Sequence, residues 1–385
     1  MNTRHPFWLV GFRPFFTLAC LSGLSLPLLW VLIYLGLLPA PRGSFAPVQW
    51  HAHEMFFGFG WAVLGGFLLT STKNWVQIRG YHGAALMFLV AAWLFERAGM
   101  WFGGRWPAFL FEMSNSLFLA SIVAMLLWTL VRHRKTDTFR DNGFFLVILP
   151  AFLIAKHLLL SAEHFQVGIA MATGLFRVAF LVMLERTLTQ FMKGIFQVDI
   201  LRNAALDRVI KLLGLLLVGA GLMPPPLAGW ISLLLALLLA GRFLFWKPQL
   251  AMRRLDLGIM YLGYGAIVLQ LLVEFFAQLA PQAWVGAFSM HVFALGVMGL
   301  IIPAMLIRIA KGHTGRKVVF EPMEKLALWI MIAAFVLRVV APQIGPDAYG
   351  LWLVLAASGW LAGFAILAWR LIPFLLQARV DGREH

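Results

Sequence analysis

The 385-residue chain is 62% hydrophobic and only 12% charged, and it contains 34 Phe and 16 Trp residues. Soluble domains do not have this composition, so we expect an integral membrane protein. The net charge of +15 is spread beside the ends of apolar segments instead of being gathered in one patch. This distribution argues against a nucleic-acid partner and is typical of a membrane-topology signal.

Repeated apolar segments of about 18 to 25 residues match the thickness of a membrane's hydrocarbon core, so each is expected to span it as a helix. The alternation typical of barrel strands is missing. The first segment is longer than the core of a signal peptide, and we expect it to be retained. The sequence therefore predicts an all-α polytopic membrane helix bundle of about twelve transmembrane helices in a single domain. The predicted spans are residues 14–38, 52–72, 83–102, 108–131, 143–162, 166–185, 208–223, 227–246, 257–280, 286–308, 324–342 and 350–373.

Basic residues precede the first span and follow every second span after it, whereas the opposite connections hold little beyond Arg42 and Arg105. The positive-inside rule then predicts that both termini lie in the cytoplasm. The longest cytoplasmic connection, residues 186–207, is expected to contain an interfacial helix. The basic residues behind this topology include Arg4, Arg13, Lys73, Arg79, Arg132, Arg134, Lys135, Arg140, Lys193, Arg202, Lys247, Arg253, Lys311, Arg316 and Arg379.

Five of the ten histidines are predicted at one depth, near the outer ends of three spans. Ionisable groups there are costly unless they are paired or functional, so these histidines are candidate metal ligands or proton carriers. The five are His51, His53, His157, His164 and His291. The others, predicted on or near the cytoplasmic side, are His5, His82, His133, His313 and His385.

Helical spacing suggests how the outer candidates are divided. Residues three apart share a helix face and residues two apart do not, so His51 is expected to act with Glu54 and not with His53. This predicts two centres, or one centre with a supporting histidine. His157 and His164 would lie about 10 Å apart along one face and serve different sites. The alternatives are an interhelical hydrogen bond for His164 and an ion pair for Glu54.

Other charged residues in or near the spans are expected to form internal salt bridges, including Glu96, Arg97, Arg177, Glu185 and Glu274. An arginine that faces the bundle could instead hold a haem propionate, since its forked donors match a carboxylate. With Cys20 as its single cysteine, the chain can form neither an internal disulfide nor a Cys-x-x-Cys-His haem attachment. Any haem must therefore be bound non-covalently.

Two segments resemble the signatures of a known family. Trp50-His-Ala-His-Glu-Met-Phe-Phe-Gly-Phe-Gly60, with Gly66–Thr70 and Asn74-Trp75, resembles the opening signature of the NnrS family. His291 to Gly299, Ile307-Arg308 and Gly312-His-Thr-Gly-Arg316 resemble its C-terminal signature. The resemblance covers essentially the whole chain. It departs at Leu184–Phe191, where the family's glycines and proline after the sixth helix are missing.

The resemblance implies a bacterial inner-membrane protein that contains haem b and copper and functions in nitric oxide metabolism and nitrosative-stress defence. It implies nitric oxide as ligand, membrane lipid as surroundings, an unidentified electron donor and possible activity as a nitric oxide-consuming oxidoreductase, with Glu54 as a proton carrier. Matching positions suggest cofactor binding by His51, His53, His157, His291 and Arg316. Together with the depth argument, they make His51, His53, His157, His164, His291 and His313 candidate metal ligands.

Two other functions fit the same residues. A secondary transporter could move protons or metal cations through the histidines and Glu54, and Gly296, Gly299 and Pro303 offer a position for a broken helix. A non-catalytic haem sensor would bind nitric oxide without consuming it.

Overall fold

The computed structural model describes residues 5–43, 45–139, 142–279 and 284–384. Arg4, Arg140 and His385, together with the last residue of the predicted span 257–280, lie outside the described residues. Within the described ranges all regular structure is helical and no strand occurs. The predicted all-α class is therefore confirmed.

Twelve main helices follow the twelve predicted spans in order through the described residues. Two of them, α2 and α10, combine α-helical and π-helical turns. The helices are α1 Phe12–Tyr34, α2 Pro47–Trp75, α3 Ala84–Phe102, α4 Ala108–Arg132, α5 Gly143–Leu160, α6 Phe165–Phe196, α7 Ala204–Leu216, α8 Pro225–Phe245, α9 Leu255–Leu279, α10 Phe288–His313, α11 Pro322–Val339 and α12 Tyr349–Leu376.

Eleven helices in the described part of the chain are long enough and apolar enough to cross a membrane, so the protein is a multi-pass membrane protein. The exception among the main helices is α7, which has 13 residues and continues as a 3-10 helix over Leu217–Leu222. Its first two turns carry Asp207, Arg208 and Lys211. The seventh predicted span is therefore formed by a helix that is shorter than the other main helices.

Helix α6 is longer than predicted because its apolar stripe does not stop at the membrane boundary. It runs for 32 residues to Phe196. Leu184, Leu188 and Met192, at i, i+4 spacing, are each at most 1% exposed. The interfacial helix predicted within residues 186–207 is thus replaced, up to Phe196, by an extension of α6.

Each of two helices contains one π-helical stretch, and in each case a histidine immediately precedes it. In α2 the π-helix is Glu54–Gly60, directly after His53. In α10 it is Val292–Met298, directly after His291. A π-turn accommodates an extra residue through i→i+5 bonding and frequently occurs at functional sites. Two of the candidate ligands, His53 and His291, therefore occupy equivalent local positions.

The chain forms two compact units, each assembled from separated segments. Unit 1 comprises Met1–Gly168, Leu306–Val319 and Phe364–His385. Unit 2 comprises Ile169–Met305 and Phe320–Gly363. Unit 1 thus contains helices α1 to α5 with the C-terminal parts of α10 and α12. Most of α6, all of α7 to α9, α11 and the N-terminal parts of α10 and α12 belong to unit 2.

In unit 1, aromatic side chains hold α2 against α5. The rings of Trp61 and Phe152 meet edge to face with centroids 5.0 Å apart, and those of Phe57 and Phe152 meet similarly at 6.4 Å. Such edge-to-face pairs are favourable beyond the area they bury. Because residues four apart share a helix face, this packing also turns Lys156 of α5 toward α2.

Candidate functional site

Five ionisable side chains come together inside unit 1, and we call them the unit 1 cluster. His53 and Glu54 lie on α2, Glu96 and Arg97 on α3, and Lys156 on α5. His53 and Glu96 are fully buried, and Arg97 has the most exposed side chain of the five at 12%. Buried charges are stable only when they are paired, so the stability of the unit 1 cluster depends on the contacts between its members.

The imidazole of His53 lies between two carboxylates. Its Nδ1 is 3.3 Å from Glu54 Oε1, and its Nε2 is 3.3 Å from Glu96 Oε1. The contact with Glu54 has hydrogen-bond geometry, whereas Nε2 makes no hydrogen bond among the described residues. The expectation that Glu54 would face away from His53 is wrong. Adjacent residues are about 100° apart around a helix, and the long side chains of His53 and Glu54 meet across that angle.

The remaining contacts balance the buried charges. Lys156 Nζ donates to Glu96 Oε1 and to the carbonyl oxygen of Asn115. Arg97 Nε is 3.4 Å from Glu54 Oε2, and Arg97 Nη2 is 3.2 Å from Glu96 Oε1. Two carboxylates therefore face two cations, and the cluster is neutral overall when His53 is neutral. The salt bridge expected for Glu96 and Arg97 is confirmed.

A glycine in the π-helix makes room for the arginine. A Cβ placed on Gly58 would lie 2.2 Å from Arg97 Nη1 and 3.2 Å from Glu54 Oε2, so a side chain there would displace the guanidinium. The carbonyl oxygen of Gly58 accepts a 3.1 Å hydrogen bond from the indole of Trp93, and the Arg97 guanidinium lies 5.1 Å above that ring. Gly58 thus leaves space for the Arg97 guanidinium and also connects α2 to Trp93 of α3.

The other three candidate histidines predicted near the outer ends of spans in this unit lie outside the unit 1 cluster. His51 is half-buried and stacks on Trp30, with ring centroids 4.3 Å apart. His157 is exposed, because it is one residue further along α5 than the inward-facing Lys156. His164 is exposed and lies 3.2 Å through Nδ1 from Ser161 Oγ in the connection before α6. Among the described residues its contacts are local, with Ser161 and Glu163, and none is the interhelical hydrogen bond considered for His164.

In unit 2, His291 has an arrangement suited to metal binding. Its Nδ1 lies 2.7 Å from the carbonyl oxygen of Ala287, one helical turn earlier. A carbonyl can only accept, so Nδ1 carries the proton and the lone pair of a neutral ring is on Nε2. Histidine ligands to metals are commonly fixed in this way. The side chain is half-buried.

A second set of paired polar residues lies in unit 2. Arg177 Nη1 donates to Gln270 Oε1 at 2.8 Å and to Glu274 Oε2 at 3.0 Å, which confirms the expected salt bridge. Gln270 Nε2 also lies 3.5 Å from the hydroxyl oxygen of Ser289, two residues before His291. The start of α10 therefore contacts a network held by a buried arginine.

His313 and Arg316 lie far from His53. The His313 ring is 5.4 Å from that of Phe12, and the Phe12 N–H donates to Thr70 Oγ1 at 2.9 Å. Thr70 is 17 residues after His53, which is about 25 Å along the α2 axis. His313 and Arg316 therefore cannot share one metal centre with His53.

Among the described residues, no three His, Cys, Asp or Glu side chains form a group that could hold a metal ion. His53, Glu54 and Glu96 lie close together, but the two carboxylates face opposite nitrogens of the ring. A metal at this point would also add positive charge to a cluster already balanced by Arg97 and Lys156. The cluster suits proton transfer better than metal binding.

Lys156 was not among the residues singled out from the sequence, although a signal for it was present. It is the single charged residue in the apolar run 143–160. An ionisable residue within a membrane span is by default a candidate for function. Its neighbour His157 attracted attention because of residue type, but helical rotation places the lysine in the interior.

Comparison with known proteins identifies one family. The family model described as NnrS protein matches residues 6–379, nearly the whole chain. Among curated proteins, none matches the sequence.

Proposed function

This chain belongs to the NnrS family, and from that premise we propose that it is a haem b protein that binds nitric oxide and contributes to nitrosative-stress defence. The observation that carries the proposal is the contact between His291 Nδ1 and Ala287 O, which leaves Nε2 of His291 as a ligand for iron. Bound haem would supply an iron that coordinates nitric oxide. Nitric oxide enters lipid readily, so a site within the membrane can meet it directly.

The unit 1 cluster is proposed as a store and carrier of protons. His53 contacts a carboxylate on each side, so a proton could pass between Glu54 and Glu96 through the imidazole. Reductive coupling of nitric oxide to nitrous oxide consumes protons as well as electrons. If an electron donor supports this reaction, Glu54 and His53 are the residues we expect to deliver protons.

Copper is expected from the family resemblance, with His51, His53, His157, His164, His291 and His313 as the candidate ligands. The half-buried rings of His51 and His291 suit coordination better than the exposed His157 and His164. In the described residues these side chains form no group of three ligands.

We also propose a bacterial inner-membrane location with both termini in the cytoplasm. Arg13, Lys73, Arg316 and Arg379 lie at the same end of unit 1. Arg13 and Arg316 both donate to Gln377, and electrostatic interactions link Arg13 and Lys73 to Arg379. A concentration of basic residues at one end supports a cytoplasmic position for that end.

The test is an absorption spectrum of the purified protein from haem-sufficient cells. We expect a Soret band, and His291→Ala should weaken or shift it. His82→Ala, a change at an exposed histidine outside the candidate ligands, is the matched control. A protein without a Soret band, or a His291→Ala spectrum identical to that of the unaltered protein, would contradict the proposal.

Turnover is tested separately with a nitric oxide electrode in the presence of dithionite. His53→Gln should keep the Soret band but slow nitric oxide loss, because it removes a titratable ring while leaving His291 intact. Binding without loss by the unaltered protein would instead identify a non-catalytic haem sensor.

A proton transporter is the second candidate, and the buried, charge-balanced unit 1 cluster is the observation that favours it. Intramembrane carboxylates and histidines commonly mark proton pathways. In proteoliposomes loaded with a pH-sensitive dye, an inward proton gradient should acidify the lumen. His53→Gln should abolish this proton flux. A colourless protein with this activity would favour transport over haem chemistry.

A further inference from the structure

Several basic side chains gather at the C-terminal end of α2 in unit 1, and we call them the basic cluster. Arg13 lies on α1, Lys73 on α2, Arg316 after α10 and Arg379 after α12. Arg13 interacts electrostatically with Arg316 and Arg379, and Lys73 interacts with Arg379. Like charges at this range repel each other, so the cluster requires a compensating group.

Arg13 is the most deeply buried member, with 1% of its surface exposed. Its Nη1 donates to the carbonyl oxygens of Leu375 and Gln377 at 3.0 and 2.5 Å. Its Nε and Nη2 are also buried but have no hydrogen-bond partner among the described residues. Leaving charged donors unsatisfied in the interior is expensive. Two donors of Arg13 are therefore available for a ligand.

Arg316 offers a further donor. Its Nη2 donates to Gln377 Oε1 at 2.8 Å, and its guanidinium lies 4.3 Å from the centroid of the Phe374 ring. Its buried Nη1 has no partner among the described residues. Gln377 receives a hydrogen bond from both arginines, through its carbonyl oxygen from Arg13 and through its side chain from Arg316. The two guanidinium groups therefore meet at one residue.

The neighbouring carboxylates are already engaged. Asp381 accepts from Arg379 Nε and Nη2 at 2.9 and 2.5 Å. Glu384 accepts from Arg79 Nη2 at 2.6 Å. Within the described part of the chain, neither carboxylate accepts a hydrogen bond from Arg13 Nε, Arg13 Nη2 or Arg316 Nη1.

We propose that the basic cluster binds a phosphate group through Arg13 and Arg316, with Lys73 and Arg379 adding favourable charge. Forked arginine donors match phosphate oxygens and form strong charge-assisted hydrogen bonds. The phosphate comes either from the head group of an anionic phospholipid or from soluble inorganic phosphate. Basic pockets between membrane helices are suited to lipid head groups. The proposal does not use His291 and does not depend on haem binding.

The experiment uses the full-length protein in detergent after delipidation. Short-chain phosphatidylglycerol and inorganic phosphate are titrated separately, with binding followed by calorimetry. Arg13→Gln and Arg316→Gln should each weaken binding about tenfold, since each removes a charge-assisted hydrogen bond. Arg132→Gln is the matched control, because Arg132 is exposed and stacks on Trp128 outside the basic cluster.

Binding of phosphatidylglycerol without binding of inorganic phosphate would identify the lipid as the source, whereas the opposite result would identify the soluble anion. If Arg13→Gln fails to fold, Arg316→Gln and Lys73→Gln still test the site. No binding of either probe, or equal affinities for Arg316→Gln and Arg132→Gln, would overturn the proposal. Loss of haem with unchanged phosphate affinity in Arg316→Gln would also overturn it, since the cluster would then serve the cofactor.

Discussion

Lys156 and Glu96 form an ion pair that is buried on both sides, with 5% and 0% of the respective side chains exposed. The lysine also donates to the carbonyl oxygen of Asn115, so it links α5 to both α3 and α4. Burying one such charge alone would cost several kcal/mol. The pair is therefore the element on which the neutrality of the unit 1 cluster depends.

The first prediction concerns this ion pair. Lys156→Met should destabilise the protein by about 3 to 5 kcal/mol, because it leaves Glu96 with a buried charge and one fewer cation. The measurement is the free energy of unfolding in detergent. His157→Gln, at the exposed neighbouring position, should change stability little. Adding Glu96→Gln to Lys156→Met should recover much of the loss. A double variant as unstable as the single variant would show that charge pairing is not the cause.

The second prediction concerns the room made by Gly58. Gly58→Ala should push Arg97 away from Glu54, since the new Cβ would lie 2.2 Å from Arg97 Nη1. We expect a loss of about 1 to 3 kcal/mol, as for other overpacked interior positions. The control is Gly241→Ala in α8, where a Cβ would meet nothing within 4 Å. Equal stabilities for the two variants in thermal unfolding would contradict the steric argument.

The third prediction compares two threonines on α2. Thr70 Oγ1 accepts from the Phe12 N–H at 2.9 Å and donates to Gly66 O at 2.7 Å, whereas Thr72 Oγ1 is buried without a partner among the described residues. Thr70→Val should cost about 1 to 3 kcal/mol because it leaves a buried N–H unsatisfied. Thr72→Val should be neutral or stabilising. Chemical unfolding of both variants gives the comparison, and the reverse order would refute it.

The fourth prediction concerns pH. Hydrogen bonding to Arg379 lowers the pKa of Asp381 to about 2 from an ordinary value of 3.8. A carboxyl group with a depressed pKa in the folded state contributes stability that is present above pH 4 and is lost as the pH falls toward 2. The segment it stabilises also donates from Val380 N to Thr314 O at 3.1 Å.

A spin label on Arg383→Cys would report this change as increased mobility between pH 4 and pH 2. Asp381→Asn should show increased mobility already at neutral pH, because an amide cannot form the same pair with Arg379. A tail with constant mobility over this range in the parent protein would contradict the assignment.

Composition and apolar segment length were sufficient to predict the helices, because membrane spans are selected for these two properties. All twelve predicted segments correspond to main helices of the structure. The predicted and observed helices differ in two places. In α7, charged residues interrupt the apolar pattern, and in α6 the buried apolar stripe continues beyond the end of the predicted span. Hydropathy averages over a window, so it cannot detect either effect.

The site was less predictable. Residue type and position identify His53 and Glu54, but their contact depends on side-chain rotamers, which periodicity does not determine. In the sequence, His157 is the more conspicuous residue because of its metal-binding chemistry, whereas the inward-facing Lys156 is indicated only by the cost of a charge inside an apolar segment. The local hydrogen bond of His291 to Ala287 depends on a rotamer, which the sequence does not determine.

The π-helices after His53 and His291 have a consequence for how related chains diverge. An extra residue taken up in one widened turn can be removed by a single deletion that restores an ordinary α-helix. Such a deletion within Glu54–Gly60 would rotate His53 relative to Trp61–Trp75 while leaving every other connection intact. Relatives that lack one residue at this position should therefore keep the fold but lose the contacts of His53. A one-residue gap here should distinguish chains of different function better than overall sequence identity does.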